Sequence, residues 1–475
     1  MLEKAKNIFF IGIKGAAMAN LAVVLKKMGK NVTGVDLEEE FITDSVLMNN
    51  RIAVINDFNA EALPENTDLI IYSAAHGGIN NPQVAQAKKT GIKIAHQAEI
   101  LGELSSMFQN TIAICGCHGK TTTASLLSYA LIKLGNKPTY LIGVPSFNEY
   151  PGGDYQDKKY FVLEADEYGV SPPVDKTPKF LFLKPNHIIA TNIDFDHPDV
   201  YADIEQTKKA FLKFFDAKKL VLCADDPILA QLIKRLNRNQ YVSYGYSLSS
   251  DLQIKNPKFS QSTSSFELYY HQKSLGKFTV ALFGKKNISN AAAVILMLLN
   301  LGFSAWQIRQ SIATFTGAKR RFEQIFYGNG IYLFDDYGHH PHEIRAVIEA
   351  VRSRFPQQRL ILIFQPHTFS RTQALLKDFS QILSSADYSF IMPIFPSARE
   401  DQSLFKITSQ DIADYQKKQH NLIAVANKNE LIQRLSATLK RGDIVFTLGA
   451  GDVYKLKNDI IGVIKKSNDQ THNWD

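Results

Sequence analysis

The amino-acid sequence predicts an α/β protein with three domains. The chain has 475 residues, which corresponds to about three domains of roughly 150 residues each. Short β-rich runs alternate with amphipathic helical segments, as in parallel sheets that are covered by helices. At three places a strand leads through a turn of small or polar residues into a helix. We therefore divide the chain into segments 1–107, 108–317 and 318–475.

The composition excludes several classes of protein. Apolar residues make up 45% and charged residues 21% of the chain, as in an ordinary globular protein. The start of the sequence lacks the apolar core of a signal peptide, and no apolar stretch approaches the ~20 residues of a membrane span. The three cysteines make neither a disulfide framework nor a set of metal ligands. We expect a cytoplasmic protein without membrane insertion.

The net charge of the chain indicates which kinds of binding partner to expect. A formal net charge of +8 raises nucleic acid as a partner. The lysines are scattered through predicted helices and loops, however, and no arginine-rich tract or basic stripe appears in the sequence. We expect no nucleic-acid partner, and the modest positive excess suits anionic small molecules.

The first segment opens with a strand-like run, Asn7–Ile13. A helix is predicted from about residue 18 to 28, and a second strand ends just before Asp36. This is the order of a dinucleotide-type βαβ unit, in which small residues let the backbone approach a pyrophosphate and an acid reaches a ribose hydroxyl. Lys14 stands where the second glycine of that pattern is expected, and Ala17 replaces the third, so a plain tight turn is an equal alternative. The segment is predicted to be Rossmann-like.

The second segment contains the most specific motif. Thr111–Cys115 is a short β-branched strand, and a helical pattern begins at about Ala124. Between them lie Gly116, Cys117, His118, Gly119, Lys120, Thr121, Thr122 and Thr123. Such a turn wraps backbone N–H groups around phosphates, with Lys120 placed for the β- and γ-phosphates and the Thr121 hydroxyl for Mg²⁺. We predict a central domain of the P-loop ATPase type that binds ATP.

Acidic residues and a histidine follow two further strands of this segment. One apolar strand ends in Glu164, with Asp166 and Glu167 directly after it, and another is followed by His197. Because residues at a strand end beside a phosphate loop point towards the triphosphate, Glu164 and His197 are predicted to ligate two Mg²⁺ ions. A solvated acidic turn and a structural histidine are the plain alternatives.

The third segment is predicted to be a second Rossmann-like domain. Its first strand, Ile331–Phe334, is followed by Asp335 and Asp336 and then by a helix. The two carboxylates suit hydrogen bonding to a nucleotide ribose, with a catalytic carboxylate as the rival interpretation. Arg321 precedes this strand, either within an interdomain charge cluster or as an arginine that meets the γ-phosphate.

Taken in order, these motifs resemble those of the Mur ligase family, and the resemblance covers nearly the whole chain. The matching segments are 11–18, 116–123, 164–167, 192–197, 284–291, 319–323, 335–341 and 364–372. This many motifs in one order are far more specific than any one of them.

The resemblance implies a role for each matching residue. The UDP-sugar would be bound by Gly12, Lys14, Gly15, Ala16, Ala17, Met18, Asp36 and Ser73. ATP would be bound by Gly116, Cys117, His118, Gly119, Lys120, Thr121, Thr122, Asn287, Asn290, Arg321 and Asp336. Mg²⁺ would be held by Thr121, Glu164 and His197, and the catalytic residues would be Lys120, His197 and Arg321. The amino acid would be bound by Tyr337, His339, His367 and Arg371.

The resemblance also implies an activity. Segments 335–341 and 364–372 are similar to the branch that uses ATP to join L-alanine to the lactyl carboxylate of UDP-N-acetylmuramate through an acyl phosphate. This step belongs to peptidoglycan precursor synthesis, and the resemblance implies a monomer or weak homodimer. Segment 168–185 is instead similar to a recycling ligase that attaches a tripeptide to the same sugar. A non-catalytic nucleotide-binding protein is the alternative from another class.

Three residues depart from the family pattern. Cys117 stands where the ATP loop usually has threonine, and Lys14 replaces a glycine near the UDP pyrophosphate. Thr368 stands where the alanine-adding branch generally has an arginine near the amino-acid carboxylate. The identity of the amine acceptor is therefore the least constrained part of the prediction.

Overall fold

The computed structural model describes residues 1–396, 400, 402–416 and 420–467. They fall into two compact units. The first contains Met1–Lys258, Ser264–Leu282 and Asn287–Lys319, and the second contains Phe259–Thr263, Phe283–Lys286 and the chain from Arg320 onward. Domain boundaries near residues 107 and 317 stay a prediction. Over the described residues, no helix combines the length and apolar character that crossing a membrane requires.

The first unit begins with a parallel sheet. Its elements are β1 (Asn7–Ile11), α1 (Ala16–Lys27), β2 (Asn31–Val35), α2 (Asp44–Asn49), β3 (Ala53–Ile55), β4 (Leu69–Tyr72), α3 (Pro82–Thr90), β5 (Lys93–His96) and α4 (Gln97–Ser105). The strands lie in the order β3-β2-β1-β4-β5 and all pair in parallel. Phe9, Ile11 and Ile70 are buried in its core, as expected of strands covered on both faces. The turns that follow β1 and β4 therefore share one edge.

A larger sheet follows, and its elements lie in the same unit except for Phe259 and residues 284–286. Its elements are β6 (Asn110–Cys115), α5 (Lys120–Lys133), β7 (Thr139–Phe147), β8 (Tyr150–Asp154), β9 (Tyr160–Glu164), β10 (Gly169–Ser171), β11 (Asp175–Pro178), β12 (His187–Ala190), α6 (Ile204–Phe214), β13 (Lys219–Cys223), α7 (Pro227–Ile233), β14 (Tyr241–Gly245), β15 (Leu252–Phe259), β16 (Ser264–Tyr270), β17 (Lys273–Val280), α8 (Gly284–Asn300) and α9 (Ala305–Ile312). The sheet order is β17-β16-β15-β14-β13-β12-β6-β9-β7-β8, and β10 and β11 form a separate hairpin.

Strand β6 lies between β9 and β12 and pairs in parallel with both. Residues such as Ile112, Ile114 and Ile189 are fully buried, which explains why these strands have continuous apolar sequences. Because parallel strands present their carboxyl ends at the same edge, the segments after β6, β9 and β12 are brought together there.

Helix α5 begins earlier than its sequence pattern predicts. It starts at Lys120 rather than at about Ala124, and Gly119 caps it with a left-handed backbone at φ 87°. The threonines of its first turn are weak helix formers, which hides the true start from a propensity argument. They are buried in the structure, so packing rather than intrinsic propensity sets the beginning of the helix.

The second unit contains a further sheet. Its elements are β18 (Glu323–Gly328), β19 (Ile331–Asp336), α10 (Pro341–Arg354), β20 (Leu360–Phe364), α11 (Phe369–Ala374), α12 (Leu376–Leu383), β21 (Tyr388–Ile391), α13 (Ser409–Asp414), β22 (Leu422–Ala424), α14 (Lys428–Thr438), β23 (Ile444–Leu448) and α15 (Lys457–Lys466). The order is β18-β19-β23-β20-β21-β22, with β18 antiparallel to β19. Buried clusters cover both faces, one around Phe334 and Phe446 and the other around Ile363 and Val445. The sheet places the ends of β19, β20 and β23 side by side.

Candidate nucleotide and substrate site

The loop between β6 and α5 is fixed by the end of β12. Gly116 has φ 128°, and a Cβ atom there would lie 2.3 Å from the Thr191 hydroxyl oxygen. The carbonyl of His118 accepts hydrogen bonds from the Thr191 hydroxyl at 2.6 Å and from the Asn192 amide at 2.7 Å. The loop is therefore held in one shape by side chains of the neighbouring strand, as a preformed phosphate cradle requires.

Lys120 contacts Glu167, an acidic residue for which the sequence predicted no role. Its ammonium nitrogen lies 2.8 and 2.9 Å from the two carboxylate oxygens of Glu167, and it donates to the Gly116 carbonyl at 2.7 Å. Burial opposes the charged form of Lys120, but the charges of Glu167 and Asp166 and the hydrogen bond to Glu167 together outweigh it and raise the pKa of Lys120 above its ordinary value. The lysine is thus a fixed positive charge at the loop.

Thr121 and Glu164 lie together, as the sequence predicts. The Thr121 hydroxyl donates to one Glu164 oxygen at 3.0 Å, and the backbone N–H of Gly143 donates to the other at 2.7 Å. Asp166, two residues further on, is instead bound by Lys179 at 2.9 Å. The three neighbouring carboxylates therefore have separate partners, and Glu164 is the one that reaches the hydroxyl of the phosphate loop.

His197 lies on the other side of Glu167. Its Nε2 is 3.8 Å from a Glu167 oxygen and 3.7 Å from an Asp196 oxygen. Its backbone is left-handed at φ 59°, a conformation that is uncommon for residues other than glycine and is often found at functional sites. The ring packs edge-on against Tyr168, with ring centroids 4.7 Å apart. Because both His197 and Lys120 lie beside Glu167, the two predicted residues belong to one site.

The donor atoms around the loop fit a divalent cation. Glu164 and Thr121 contribute a carboxylate and a hydroxyl oxygen at one point, and hard oxygen donors of this kind are the ligands that Mg²⁺ takes in proteins. His197 adds an imidazole nitrogen beside two carboxylates. The residues present therefore match the metal that the sequence motifs imply.

Cys117 and His118 both contact the segment after β12. The Cys117 sulfur accepts a hydrogen bond from the Asp194 N–H at 3.2 Å, and the His118 ring lies 2.9 Å from the Asp194 carboxylate. Burial raises the pKa of the Cys117 thiol well above its usual value, so the thiol stays protonated. Although Cys117 replaces the usual threonine, its hydrogen bond still connects the phosphate loop to the segment after β12.

The predicted asparagines lie on α8 against the loop. The side chain of Asn290 donates to that of Asn287 at 3.2 Å. A Cβ atom at Gly119 would lie 2.8 Å from the Asn290 side-chain oxygen. Glycine at this position therefore lets α8 approach the phosphate loop, with Asn290 against Gly119.

The turn after β1 shows what Lys14 does. Its ammonium donates to the Glu39 carbonyl at 2.9 Å and lies 3.3 Å from Asp44. Its backbone N–H donates at 2.6 Å to Asp36, which is 1% exposed and also accepts the Leu37 N–H at 2.8 Å. In this structure Lys14 and Asp36 stabilise the turn itself. Their contact with a UDP-sugar stays a prediction.

The other predicted UDP-sugar residues surround the start of α1. Gly15 precedes the helix, and Ala16, Ala17 and Met18 form its first turn. Gly12 has φ 77°, and a Cβ atom there would lie 3.2 Å from the ring of His76. Ser73 lies at the end of β4, where its hydroxyl accepts the Ala75 N–H at 3.4 Å. Gly12 and Ser73 thus belong to adjacent strand ends, as expected for one binding edge.

In the second unit, neighbouring charged residues have different surroundings. Arg320 is buried, pairs with Asp335 at 3.0 Å and donates to the Gly449 carbonyl at 2.7 Å. The Arg321 side chain is 22% exposed and lies 3.9 Å from Glu343. Arg320 therefore stabilises the fold of this unit, whereas Arg321, the residue predicted to contact the γ-phosphate, is partly exposed to solvent.

Asp336 organises the end of β19. Its two oxygens accept the backbone N–H groups of Phe322 and Gly338, each at 2.7 Å. Burial raises the pKa of Asp336 to about 6, although the charge of Arg321 and both hydrogen bonds oppose the rise. The residue is placed at the sheet edge where a nucleotide is expected.

The four predicted amino-acid-binding residues follow two neighbouring strands: Tyr337 and His339 lie in the loop after β19, His367 lies in the loop after β20, and Arg371 lies within α11. The rings of His339 and His367 have centroids 6.2 Å apart, and that of Tyr337 lies 5.4 Å from that of His339. Arg371 is buried and donates to the His367 carbonyl at 2.7 Å. Thr368 caps α11 by accepting the Arg371 N–H at 3.4 Å, so its hydroxyl has a structural contact where an arginine is usual.

Parallel sheets with a phosphate loop, strand-end carboxylates and a histidine define a nucleotide-binding α/β protein. Family models match most of the chain: the Mur ligase family, catalytic domain, over residues 7–109; the Mur ligase middle domain over residues 114–298; and the Mur ligase, glutamate ligase domain, over residues 320–451. The chain belongs to the Mur ligase family, whose members use ATP.

Relatives match over nearly their whole lengths. The UDP-N-acetylmuramate–L-alanine ligase of Desulfitobacterium hafniense is 37% identical over 466 residues, which cover 96% of this chain and 99% of that protein. The enzyme of the same name from Lactobacillus acidophilus is 37% identical over 462 residues, with 96% and 99% coverage.

Solved structures share the fold. UDP-N-acetylmuramate–alanine ligase from Thermotoga maritima aligns with a TM-score of 0.79 at 22% identity, covering 97% of this chain and 99% of that one. Murein peptide ligase from Psychrobacter arcticus aligns with a TM-score of 0.74 at 22% identity, covering 97% and 98%. The three-domain α/β architecture predicted from sequence is confirmed.

The raised pKa of Asp336 predicts a pH-dependent effect of Asp336→Asn on stability. The folded state binds this proton more tightly than the unfolded state, so the stabilising contribution is present below the ordinary pKa of 3.8 and is lost as pH rises through about 6. The free energy of unfolding of Asp336→Asn relative to the natural protein should therefore increase by about 1–2 kcal/mol between pH 5 and pH 7.5. Chemical denaturation at both pH values measures this difference.

Asp387→Asn is the matched control in the same unit. Burial would raise the pKa of Asp387, but hydrogen bonds from the Leu360 N–H and from Arg352 hold it below 3.8. Its effect on stability should be the same at pH 5 and pH 7.5. A constant difference for Asp336→Asn as well would contradict the assigned pKa.

Proposed function

We propose that this protein joins L-alanine to the lactyl carboxylate of UDP-N-acetylmuramate, with cleavage of ATP, during peptidoglycan precursor synthesis in the cytoplasm. The observation that carries the proposal is the placement of Lys120 and Thr121 of one phosphate loop against Glu167 and Glu164. The names of the relatives from Desulfitobacterium hafniense and Lactobacillus acidophilus support the choice of substrates. We propose a monomer or weak homodimer, and no nucleic-acid partner.

The proposed reaction has two steps. A lactyl carboxylate oxygen attacks the γ-phosphorus of ATP, the bond to the β–γ bridging oxygen breaks, and ADP leaves. The amine of L-alanine then attacks the acyl phosphate carbonyl, loses a proton, and displaces phosphate to leave an amide. A carboxylate is unreactive towards amines, so the first step supplies the leaving group, and catalysis is mainly positioning and charge neutralisation.

Different residues of this chain are proposed to neutralise charge and to position the nucleotide. Lys120 carries a fixed positive charge at the loop, suited to offset the charge that gathers on the transferring phosphoryl group. Arg321 is proposed to add a second charge there, and Asn287, Asn290 and Asp336 to contact the nucleotide. The loop backbone from Gly116 to Thr122 would receive the phosphate oxygens.

Mg²⁺ is proposed as the metal, held by Thr121, Glu164 and His197. When bound, it supplies positive charge against the phosphate oxygens. The protein's own contribution is to fix the two ligands of the loop region, because the Glu164 carboxylate is oriented by both the Thr121 hydroxyl and the Gly143 N–H.

The substrates are proposed to occupy the loop edges described above. The turn at Gly12–Met18, with Asp36 and Ser73, would take the UDP-sugar at the start of α1. Tyr337, His339, His367 and Arg371 would take the amino acid, whose carboxylate suits the guanidinium of Arg371.

Replacing Lys120 tests the nucleotide assignment. Lys120→Ala should reduce ADP formation by more than about a hundredfold, because a positioned charge on the developing phosphoryl is worth this much in comparable sites. Binding of UDP-N-acetylmuramate, measured by calorimetry, should be unchanged. Lys133→Ala is the matched control, since Lys133 ends the same helix with a side chain that is 39% exposed. Normal turnover by Lys120→Ala would refute the assignment.

The choice of amine tests the substrate assignment. We expect phosphate release with ATP and UDP-N-acetylmuramate to have the highest kcat/KM for L-alanine, followed by glycine and L-serine, because the loops around His339 and His367 lie close together. The tripeptide of a recycling ligase is the rival, suggested by the β10–β11 hairpin in segment 168–185. A preference for the tripeptide would place the protein in the recycling branch. If none of the amines supported phosphate release, the protein would be a nucleotide-binding protein without this activity.

A further inference from the structure

A side chain of helix α1 bonds to strand β7 of the neighbouring sheet. The amide of Asn20 donates to the carbonyl of Ile142 at 2.6 Å and to that of Val144 at 2.8 Å. These two carbonyls flank Gly143, whose N–H donates to Glu164 at 2.7 Å. A continuous series of contacts therefore leads from α1 to the carboxylate that faces the phosphate loop.

Strand β7 has no regular partner at this point. Its pairing with β8 shifts register between Leu141 and Ser146, so the ladder does not fix the peptide groups in between. Its pairing with β9 covers Thr139–Leu141 and stops before Gly143. The two hydrogen bonds from Asn20 replace the missing ladder contacts and orient the Gly143 N–H towards Glu164.

The packing around Asn20 is tight. The residue is fully buried. A Cβ atom at Gly152 would lie 1.7 Å from the Val144 carbonyl oxygen and 2.5 Å from the Asn20 amide nitrogen, and one at Gly153 would lie 2.7 Å from the Asn20 carbonyl oxygen. The two glycines of β8 thus let α1 and β7 approach closely enough for the amide to reach both carbonyls.

The side chain of Asn20 acts through its amide N–H groups, which donate to two backbone carbonyls. Among the described residues, the side-chain oxygen of Asn20 is buried without a hydrogen-bond partner. Leaving such a group unsatisfied is unfavourable, but an apolar residue in its place would leave the carbonyls of Ile142 and Val144 without the amide donor. What the asparagine supplies is a donor that holds two carbonyls at once.

We propose that Asn20 is a positioning residue for the metal carboxylate. It fixes the Gly143 N–H, which in turn orients Glu164 for Mg²⁺, and it ties this orientation to the helix whose first turn is assigned to the UDP-sugar. The proposal rests on the function proposed above, because it assumes that Glu164 binds the metal. Partners outside the ligand shell set ligand orientation, and their loss weakens metal affinity by about 10- to 100-fold.

The test measures how much Mg²⁺ the full-length protein needs to bind a non-hydrolysable ATP analogue, by calorimetry at increasing magnesium. Asn20→Leu has a similar volume and no donor, and it should raise the magnesium concentration for half-maximal tightening by about tenfold. Lys27→Met is the matched control. Lys27 lies on the same helix and contacts Asp154 of β8, but has no link to Gly143, so its magnesium requirement should stay within about twofold of normal.

Glu164→Gln separates the two proposals. If Glu164→Gln raises the magnesium requirement and Asn20→Leu does not, the role of Asn20 is refuted while the proposed function stands. If Glu164→Gln has no effect, the proposed metal site itself fails. Asn20→Ala removes the donor with a smaller side chain and serves where Asn20→Leu folds poorly, and a normal magnesium requirement in that variant equally overturns the proposal.

Discussion

The contact between Lys120 and Glu167 is the interaction on which the rest of the site depends. It joins the phosphate loop after β6 to the segment after β9, and Glu167 in turn borders His197 after β12. This meeting is possible because β6 lies between β9 and β12 in a parallel sheet, so that three separate segments share one edge. A change in strand order would leave the same residues apart. The fold supplies the site through topology, and the side chains supply the charge.

In the second unit, two carboxylates at the end of β19 likewise make structural contacts at the edge of the sheet. Asp335 fixes Arg320, while Asp336 binds backbone N–H groups on both sides of it. The burial that raises the pKa of Asp336 is therefore part of how the loop is built. Local order at this edge and the nucleotide contact proposed for Asp336 would have one physical origin, namely acidic groups at the carboxyl ends of parallel strands.

Much of this could be predicted from the sequence because the decisive patterns are local. Strand β2 ends just before Asp36 as predicted, and β6 and β19 begin at or within one residue of the predicted Thr111 and Ile331. Thr121 contacts Glu164, as expected when the ends of adjacent parallel strands share one edge. Glu167 could not be chosen from three neighbouring carboxylates, because its selection depends on how the turn after β9 folds back onto the loop. Asn20 looks like an ordinary residue within a helix, and its contacts are more than a hundred positions away in the chain. The ammonium of Lys14, which is predicted to lie near a pyrophosphate, also contacts the Glu39 carbonyl and Asp44, and no local sequence pattern specifies these contacts.

An isotope experiment tests the central claim, that this edge activates a carboxylate by phosphoryl transfer. UDP-N-acetylmuramate labelled with ¹⁸O in its lactyl carboxylate is converted with ATP and L-alanine, and the released phosphate is examined by ³¹P nuclear magnetic resonance. We predict that one labelled oxygen moves from the carboxylate to inorganic phosphate, since the oxygen that attacks the γ-phosphorus leaves with it. Unlabelled phosphate, or label found in AMP, would contradict phosphoryl transfer to the carboxylate.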